Sequence, residues 1–213
     1  MEGSTISPLL PFFLFTLLTY FSSTVLVSAA VASPADFIRT SCKATSYPDV
    51  CVRSLTNYAV AVRNDPRQLA HFATTVSANR AHSTSSYLSG LSAAAAPVGA
   101  KSVHGGSGGG GTEMSYSDCT VAMADSTRQL RKSVEEMRRL AGSGSRGFAR
   151  RISNAQTWIS AALTDQNACL SSLSKDGAAV GGKRAAIIRS KVVEASRVTS
   201  NALSLVNWIG SGN

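Results

Sequence analysis

The sequence predicts an all-α protein: an antiparallel, up-and-down four-helix bundle with an N-terminal helical hairpin and two disulfides. Three observations lead there. Four long stretches repeat their apolar residues at spacings of three and four, the signature of a helix with one buried face. Nothing alternates at period two over a useful length, so no stretch reads as a half-buried strand. Four cysteines are spaced so that helix lengths bring them together in pairs. The chain has 213 residues, 44% hydrophobic and 15% charged. That is one domain's worth, with enough apolar residues to bury a core and too many for a disordered chain.

The first thirty-two residues stand apart. Leu9 to Val31 is uncharged and apolar, densest from Phe12 to Leu18, and softens into Ser28-Ala29-Ala30-Val31-Ala32-Ser33. The small residues Ala30 and Ala32 fit a small-x-small cleavage rule, which predicts a secretory signal peptide over residues 1–32. The rival is an uncleaved membrane anchor, because the run is about long enough to span a bilayer. Cleavage leaves a single domain, residues 33–213, with no membrane segment. It removes one acid, Glu2, and no base, so the net charge rises from +9 to +10. A secreted, oxidised, basic protein follows, without an Asn-x-Ser/Thr acceptor for glycan.

The hairpin occupies about residues 34–62. Asp36 to Thr45 reads as one short helix and Pro48 to Val62 as the next, with Pro48 in the first turn. Cys42 and Cys51 flank the turn between them, and a Cys42–Cys51 bridge would staple it. The bundle occupies about residues 65–209. Pro66 opens its first helix, where Leu69, Phe72, Val76, Ala81, Tyr87, Leu88 and Leu91 recur, and Pro97 and Gly99 end it. The second runs from Met114 to Ala141 on Cys119, Met123, Ser126, Leu130, Val134 and Met137. The third runs from Phe148 to Leu173 on Ile152, Ala155, Ile159, Ala162, Gln166 and Cys169. The last, Lys183 to Ile209, places Ile188, Val192, Ala195, Thr199, Ala202, Val206 and Ile209 on one face.

The short Gly/Ser turn at 142–147 sets the second and third helices antiparallel. Cys119 lies 22 residues before Ala141 and Cys169 lies 21 after Phe148. Both legs are roughly 32 Å long at helical rise. Both cysteines therefore reach the same end of the hairpin, and the lengths predict a Cys119–Cys169 bridge. Closing that loop is worth roughly 4 kcal/mol on the chain-entropy model. The alternative is two buried free thiols. The Gly-rich segment 99–111 has neither a preceding strand nor a following Lys-Ser/Thr pair, so it reads as a flexible inter-helix loop, not a phosphate cradle.

No catalytic or metal constellation emerges, and no cofactor is expected. His71 and His82 share a helix about 16 Å apart, His104 falls in the Gly-rich loop, and each reads as a surface residue. Glu135 and Glu136 are neighbours on a charged face, not a converging pair. Arg128, Arg131, Lys132, Arg138, Arg139, Arg146, Arg150 and Arg151 crowd the loop end of the middle hairpin. Outside the cell, and without interleaved aromatics, that cluster favours acidic polysaccharide or an acidic protein over nucleic acid.

Four patches resemble the plant invertase and pectin methylesterase inhibitor family. They are the run from Cys42 to Cys51 with Tyr47-Pro48 inside it, Asp118-Cys119 with Asp125 and Leu130, Thr157-Trp158-Ile159-Ser160-Ala161-Ala162-Leu163-Thr164 leading to Cys169, and Ser200-Asn201-Ala202-Leu203-Ser204-Leu205. The resemblance implies the same bundle and pairing. It also implies a non-enzymatic apoplastic protein that blocks a cell-wall enzyme in a 1:1 complex. The family's invertase inhibitors typically carry a Pro-Lys-Phe loop before the last helix. Here residues 174–182 contain neither Pro nor Phe, which favours pectin methylesterase as the target and leaves cell-wall or vacuolar acid invertase as the alternative. A non-inhibitory cell-wall or signalling bundle is the other class, and electrostatic association with pectin is a further partner expectation. Where the family often has an acid and then an aromatic after Cys119, this chain has Val121 and Met123; Met123 reads as core. Arg131, Glu135, Arg138, Thr157, Ser160 and Thr164 fall on outward helical phases and are the candidate enzyme-interface residues.

Overall fold

The computed structural model describes residues 33–95, 111–142, 145–175 and 183–212. The expected signal peptide, most of the Gly-rich loop with His104, and residues 176–182 lie outside the described residues. The helices are α1 (Pro34–Cys42), α2 (Pro48–Leu55), a 3₁₀ turn (Thr56–Tyr58), α3 (Ala59–Val62), α4 (Pro66–Ala95), α5 (Gly111–Arg138), a 3₁₀ turn (Arg139–Gly142), α6 (Ser145–Lys175) and α7 (Lys183–Gly210). Each long helix packs on the next, and α7 closes against α4, which gives the up-and-down ring of four.

Local chemistry sets the ends. Ser33 caps α1: its hydroxyl accepts from the Asp36 amide at 3.2 Å and donates to the Asp36 carboxylate at 2.7 Å. With Pro34 behind it this starts the helix two residues before the position that periodicity suggests. The second hairpin helix is not continuous from Pro48 to Val62. It tightens to 3₁₀ at Thr56–Tyr58, where the Thr56 hydroxyl donates to the Val52 carbonyl at 2.7 Å, a local bond that competes with regular helix. Arg63 and Asn64 then adopt left-handed backbone, φ 52° and 59°, and turn the chain into α4. Gly111 opens α5 and Gly147 lies inside α6, so two glycines assigned to loops by composition are helical.

The inward faces are as the periodicity requires. Leu69, Met123, Leu130, Ile159, Ile188, Val192 and Val206 are buried, each worth about 1.5–3 kcal/mol of transfer free energy. At one level the core is polar, and each long helix contributes one residue: Ser77, Ser126, Gln166 and Thr199, all fully buried. The Gln166 amide donates to Ser126 at 2.9 Å and to Thr199 at 3.0 Å, and Ser77 and Thr199 share a hydrogen bond of 2.7 Å. The Thr199 hydroxyl also donates to the Ala195 carbonyl. Its donor is thereby used, so Ser77 is the donor in the shared bond.

Both disulfides have the expected pairing, Cys42–Cys51 with Cα atoms 5.6 Å apart and Cys119–Cys169 at 4.1 Å. The hairpin lies over α4 and α7 through Val50, Cys51 and Leu55. Its turn is clamped by Asn201, whose side chain accepts from the Tyr47 amide at 2.9 Å and donates to the Tyr47 carbonyl at 2.8 Å. At the C-terminal end of α7, Gly210 lets the backbone approach α6: a Cβ there would sit 2.8 Å from Ile152.

Two outcomes follow. Asn201→Ala leaves the Tyr47 amide without its partner, while the Tyr47 carbonyl keeps the Cys51 amide at 2.9 Å, and is expected to cost about 1–3 kcal/mol in denaturant unfolding; an unchanged midpoint would mean the clamp is idle. Replacing Cys119 and Cys169 together by serine is expected to cost about 4 kcal/mol, read the same way. A loss no larger than that of one exposed residue would refute the entropic role given to the long loop.

Candidate functional site

The α5–α6 hairpin presents a polar outer surface on two mutually fixed helices. Its inner side is fastened by Cys119–Cys169, by Gln166 on Ser126, and by the Ser133 hydroxyl donating to the Ala155 carbonyl at 3.3 Å. Whatever docks on the outer side therefore meets a preformed shape.

The six candidates all reach the surface, but in two strips. At 100° per residue, Arg131, Glu135 and Arg138 share one strip of α5 that leans toward α4. Arg131 lines a cleft of about 150 Å³ with Thr75, Asn79, His82 and Val134. Arg138 grips Glu135 through two bonds of 2.8 Å, and Arg139 reaches the same carboxylate at 2.5 Å. The Arg138 hydrogen bond and charge, with Arg139 behind them, hold the Glu135 carboxyl at about 2. It stays ionised at mildly acidic pH, and the stabilisation from this ion pair is lost only as pH falls from the ordinary carboxylate range toward 2. Thr157, Ser160 and Thr164 form the second strip, along α6. The Thr157 and Thr164 hydroxyls donate to the carbonyls of Ser153 and Ser160, so toward a partner they act as acceptors.

Between the strips runs a groove whose residues the sequence reading did not assign to a site. The Lys132 ammonium lies 4.2 Å from the centre of the Trp158 ring. Glu136 accepts from Arg151 at 3.0 Å and from Asn154 at 3.3 Å. Arg128 pairs with Asp125, and Asp165 lies beside them. Burial and then the Asp125 charge push the Asp165 carboxyl up, against a smaller opposing pull from Arg128. Trp158 was visible in the sequence only within the Thr157–Thr164 patch, and its half-exposed place over Lys132 has no sequence signal.

Two further positions resolve. Met123 is fully buried, as expected of a core residue, whereas Val121 is 59% exposed on the outer side of α5. His82 is exposed. His71 is not the surface residue expected: it is half-buried, edge-on to Phe72 at 5.6 Å, and burial followed by the nearby Arg138 charge lowers its pKa. Its helical phase points between α4 and α5, which periodicity of apolar residues alone does not register. Among the described residues no helix is long and apolar enough to cross a membrane.

The family model described as plant invertase/pectin methylesterase inhibitor matches residues 36–205. A 21 kDa protein of Daucus carota is 37% identical over 184 residues, 86% of this chain and 89% of that protein. Pectinesterase inhibitor 9 of Arabidopsis thaliana is 37% identical over 173 residues, 80% and 79% of the two chains. A crystal structure of mutant form A of a pectin methylesterase inhibitor from Arabidopsis superposes with a TM-score of 0.59 at 15% identity, covering 80% of this chain and 95% of that one. The last likeness establishes the shared helical-bundle fold.

Asp165→Asn is expected to stabilise the domain at pH 7, by less than about 1 kcal/mol after solvent screening. The sign follows from a carboxyl whose folded pKa lies above its ordinary 3.8: ionisation opposes folding above the raised value. The gain should shrink as pH falls through that value. A gain that persists undiminished at low pH would place its origin elsewhere.

Proposed function

The chain belongs to the plant invertase/pectin methylesterase inhibitor family, and from that premise we propose that it is an inhibitor of pectin methylesterase that acts by occluding the enzyme's pectin-binding cleft. The observation that carries this is the 37% identity to a pectinesterase inhibitor across about four-fifths of both chains. The protein is secreted to the apoplast after loss of residues 1–32. Two disulfides among the described residues suit that oxidising compartment.

The mechanism needs no chemistry in the inhibitor. Two packed helices, about 8–10 Å between axes, form a ridge that fits an elongated polymer groove and cannot be cleaved as a substrate. Arg131, Glu135 and Arg138 supply charge-assisted contacts from one side of the ridge. Thr157, Ser160 and Thr164 supply neutral hydrogen-bonding groups from the other, with Lys132 and Trp158 between them as the central anchor. Because the ridge is fastened internally, little ordering accompanies binding. One bundle covers one cleft, so the complex is 1:1. The net positive charge also suits association with acidic polysaccharide.

Residues 33–213, titrated against a plant pectin methylesterase and separately against an acid invertase between about pH 4.5 and 7.5, should abolish esterase activity at one equivalent and spare invertase. The reverse selectivity would assign the chain to the invertase side. Replacing Arg131, Glu135, Arg138, Thr157, Ser160 and Thr164 by alanine should weaken inhibition by at least about ten-fold, or 1.4 kcal/mol. Full inhibition by that variant would move the interface off this ridge.

A further inference from the structure

We propose that the end of the bundle where α4 begins, α5 ends and α6 begins is a binding site for polyuronate chains with free carboxylates, the polymer that de-esterification of pectin leaves. The identity of that polymer rests on reading the chain as an extracellular pectin methylesterase inhibitor.

Three helix ends bring arginines together here. Arg63 and Arg67 flank the start of α4, Arg138 and Arg139 close α5, and Arg150 and Arg151 lie in the opening turns of α6. The Arg67 guanidinium lies 4.8 Å over the ring of Phe148, two residues before Arg150, which ties the first element to the third. Arg138 acts electrostatically on His71, one turn beyond Arg67, which ties in the second. Six guanidiniums face three local acids, and each acid is engaged. Glu135 is held by Arg138 and Arg139, and Glu136 by Arg151 and Asn154. Asp65 caps α4 by accepting from the Arg67 amide at 2.8 Å. Arg63, Arg67 and Arg150 are exposed and have no carboxylate partner among the described residues.

The residue type selects the ligand. Guanidinium forks match planar carboxylates in two-point contacts, whereas ammonium groups act as point charges, and this cluster is entirely arginine. Single-stranded nucleic acid would need open aromatic faces for base stacking. The two aromatic rings on this hairpin that could serve, Phe148 and Trp158, are already covered by Arg67 and Lys132. Fully methyl-esterified pectin carries no carboxylate and offers nothing to this end. As the esterase works, the polymer gains negative charge and gains affinity for the inhibitor, which would concentrate it where its target has been active. Arg63, Arg67 and Arg150 are outside the ridge proposed to block the enzyme. From Arg150 to Ser160 along α6 is about 15 Å; the polymer and the enzyme share Arg138, which holds Glu135 in the ridge, and are otherwise served by different residues.

The experiment uses residues 33–213 without enzyme, on immobilised polygalacturonate and on fully methyl-esterified pectin. R63E/R150E removes two of the three unpaired charges and leaves the Arg67–Phe148 contact in place. R80E/K183E makes the same net-charge change elsewhere: Arg80 is about 21 Å along α4 from Pro66, and Lys183 starts α7 about 40 Å from Gly210. The expected result is that wild type and R80E/K183E bind polygalacturonate alike at low salt, that R63E/R150E binds at least about ten-fold more weakly, and that none binds the esterified polymer. Equal weakening in both variants would reduce the effect to overall charge and overturn the site. So would equal retention on esterified pectin, or no retention of wild type. Polymer binding by a chain that inhibits no esterase would overturn the functional reading and leave this site in place.

Discussion

The contact on which the structure most depends is the buried polar layer of Ser77, Ser126, Gln166 and Thr199. An apolar core of Ala, Leu, Ile and Val tolerates a helix sliding by one turn, because one methyl-rich layer replaces another. A glutamine does not. Its amide NH2 finds both acceptors only where Ser126 of α5 and Thr199 of α7 arrive together, and Ser77 of α4 completes the set. A shift of one turn, about 5.4 Å, leaves those groups buried and unpaired, at a cost of about 1–3 kcal/mol for each. Directional bonds thus choose one register from several that hydrophobic packing alone would permit.

The surface features inherit that register. Thr199 is two residues from Asn201, so fixing α7 against the other helices also fixes the clamp on Tyr47 and the seat of the hairpin. Gln166 lies one turn before Cys169, so the bond that sets α6 against α5 sits beside the disulfide that ties them. Lys132, Glu136, Arg151 and Trp158 meet across the outer groove because the two helices cannot slip. An inhibitor that blocks by shape requires this order of dependence: a rigid interior first, then a ridge whose charges stay where the interior put them.

The architecture was legible because helix periodicity and disulfide geometry are one-dimensional signals. The face Ile188-Val192-Ala195-Thr199-Ala202-Val206-Ile209 is wholly buried, and counting residues from the Gly/Ser turn was enough to pair Cys119 with Cys169. Ser126, Gln166 and Thr199 were each readable as inward. Their meeting was not, because it depends on the relative height of three helices, and Ser77 carried no signal at all among its serine- and threonine-rich neighbours. The 3₁₀ break at Thr56 and the early start at Ser33 are decided by single side-chain hydrogen bonds that outweigh the apolar pattern. The outward phase of Arg131 and Thr157 was readable, and their separation into two strips with a filled groove between them was not. Half-buried groups such as His71 and Trp158 escape for the same reason: their surroundings belong to neighbouring helices.

The central claim is that the α5–α6 ridge, held in register from within, enters the pectin-binding cleft of the esterase. The crystal structure of residues 33–213 in complex with a plant pectin methylesterase tests it most directly. The account predicts one bundle per enzyme, with Lys132 and Trp158 at the middle of the contact, the Arg131 and Thr157 strips on either side, and the bundle backbone unchanged. Contact through the N-terminal hairpin or the α4–α7 face, with the α5–α6 ridge left in solvent, would contradict it.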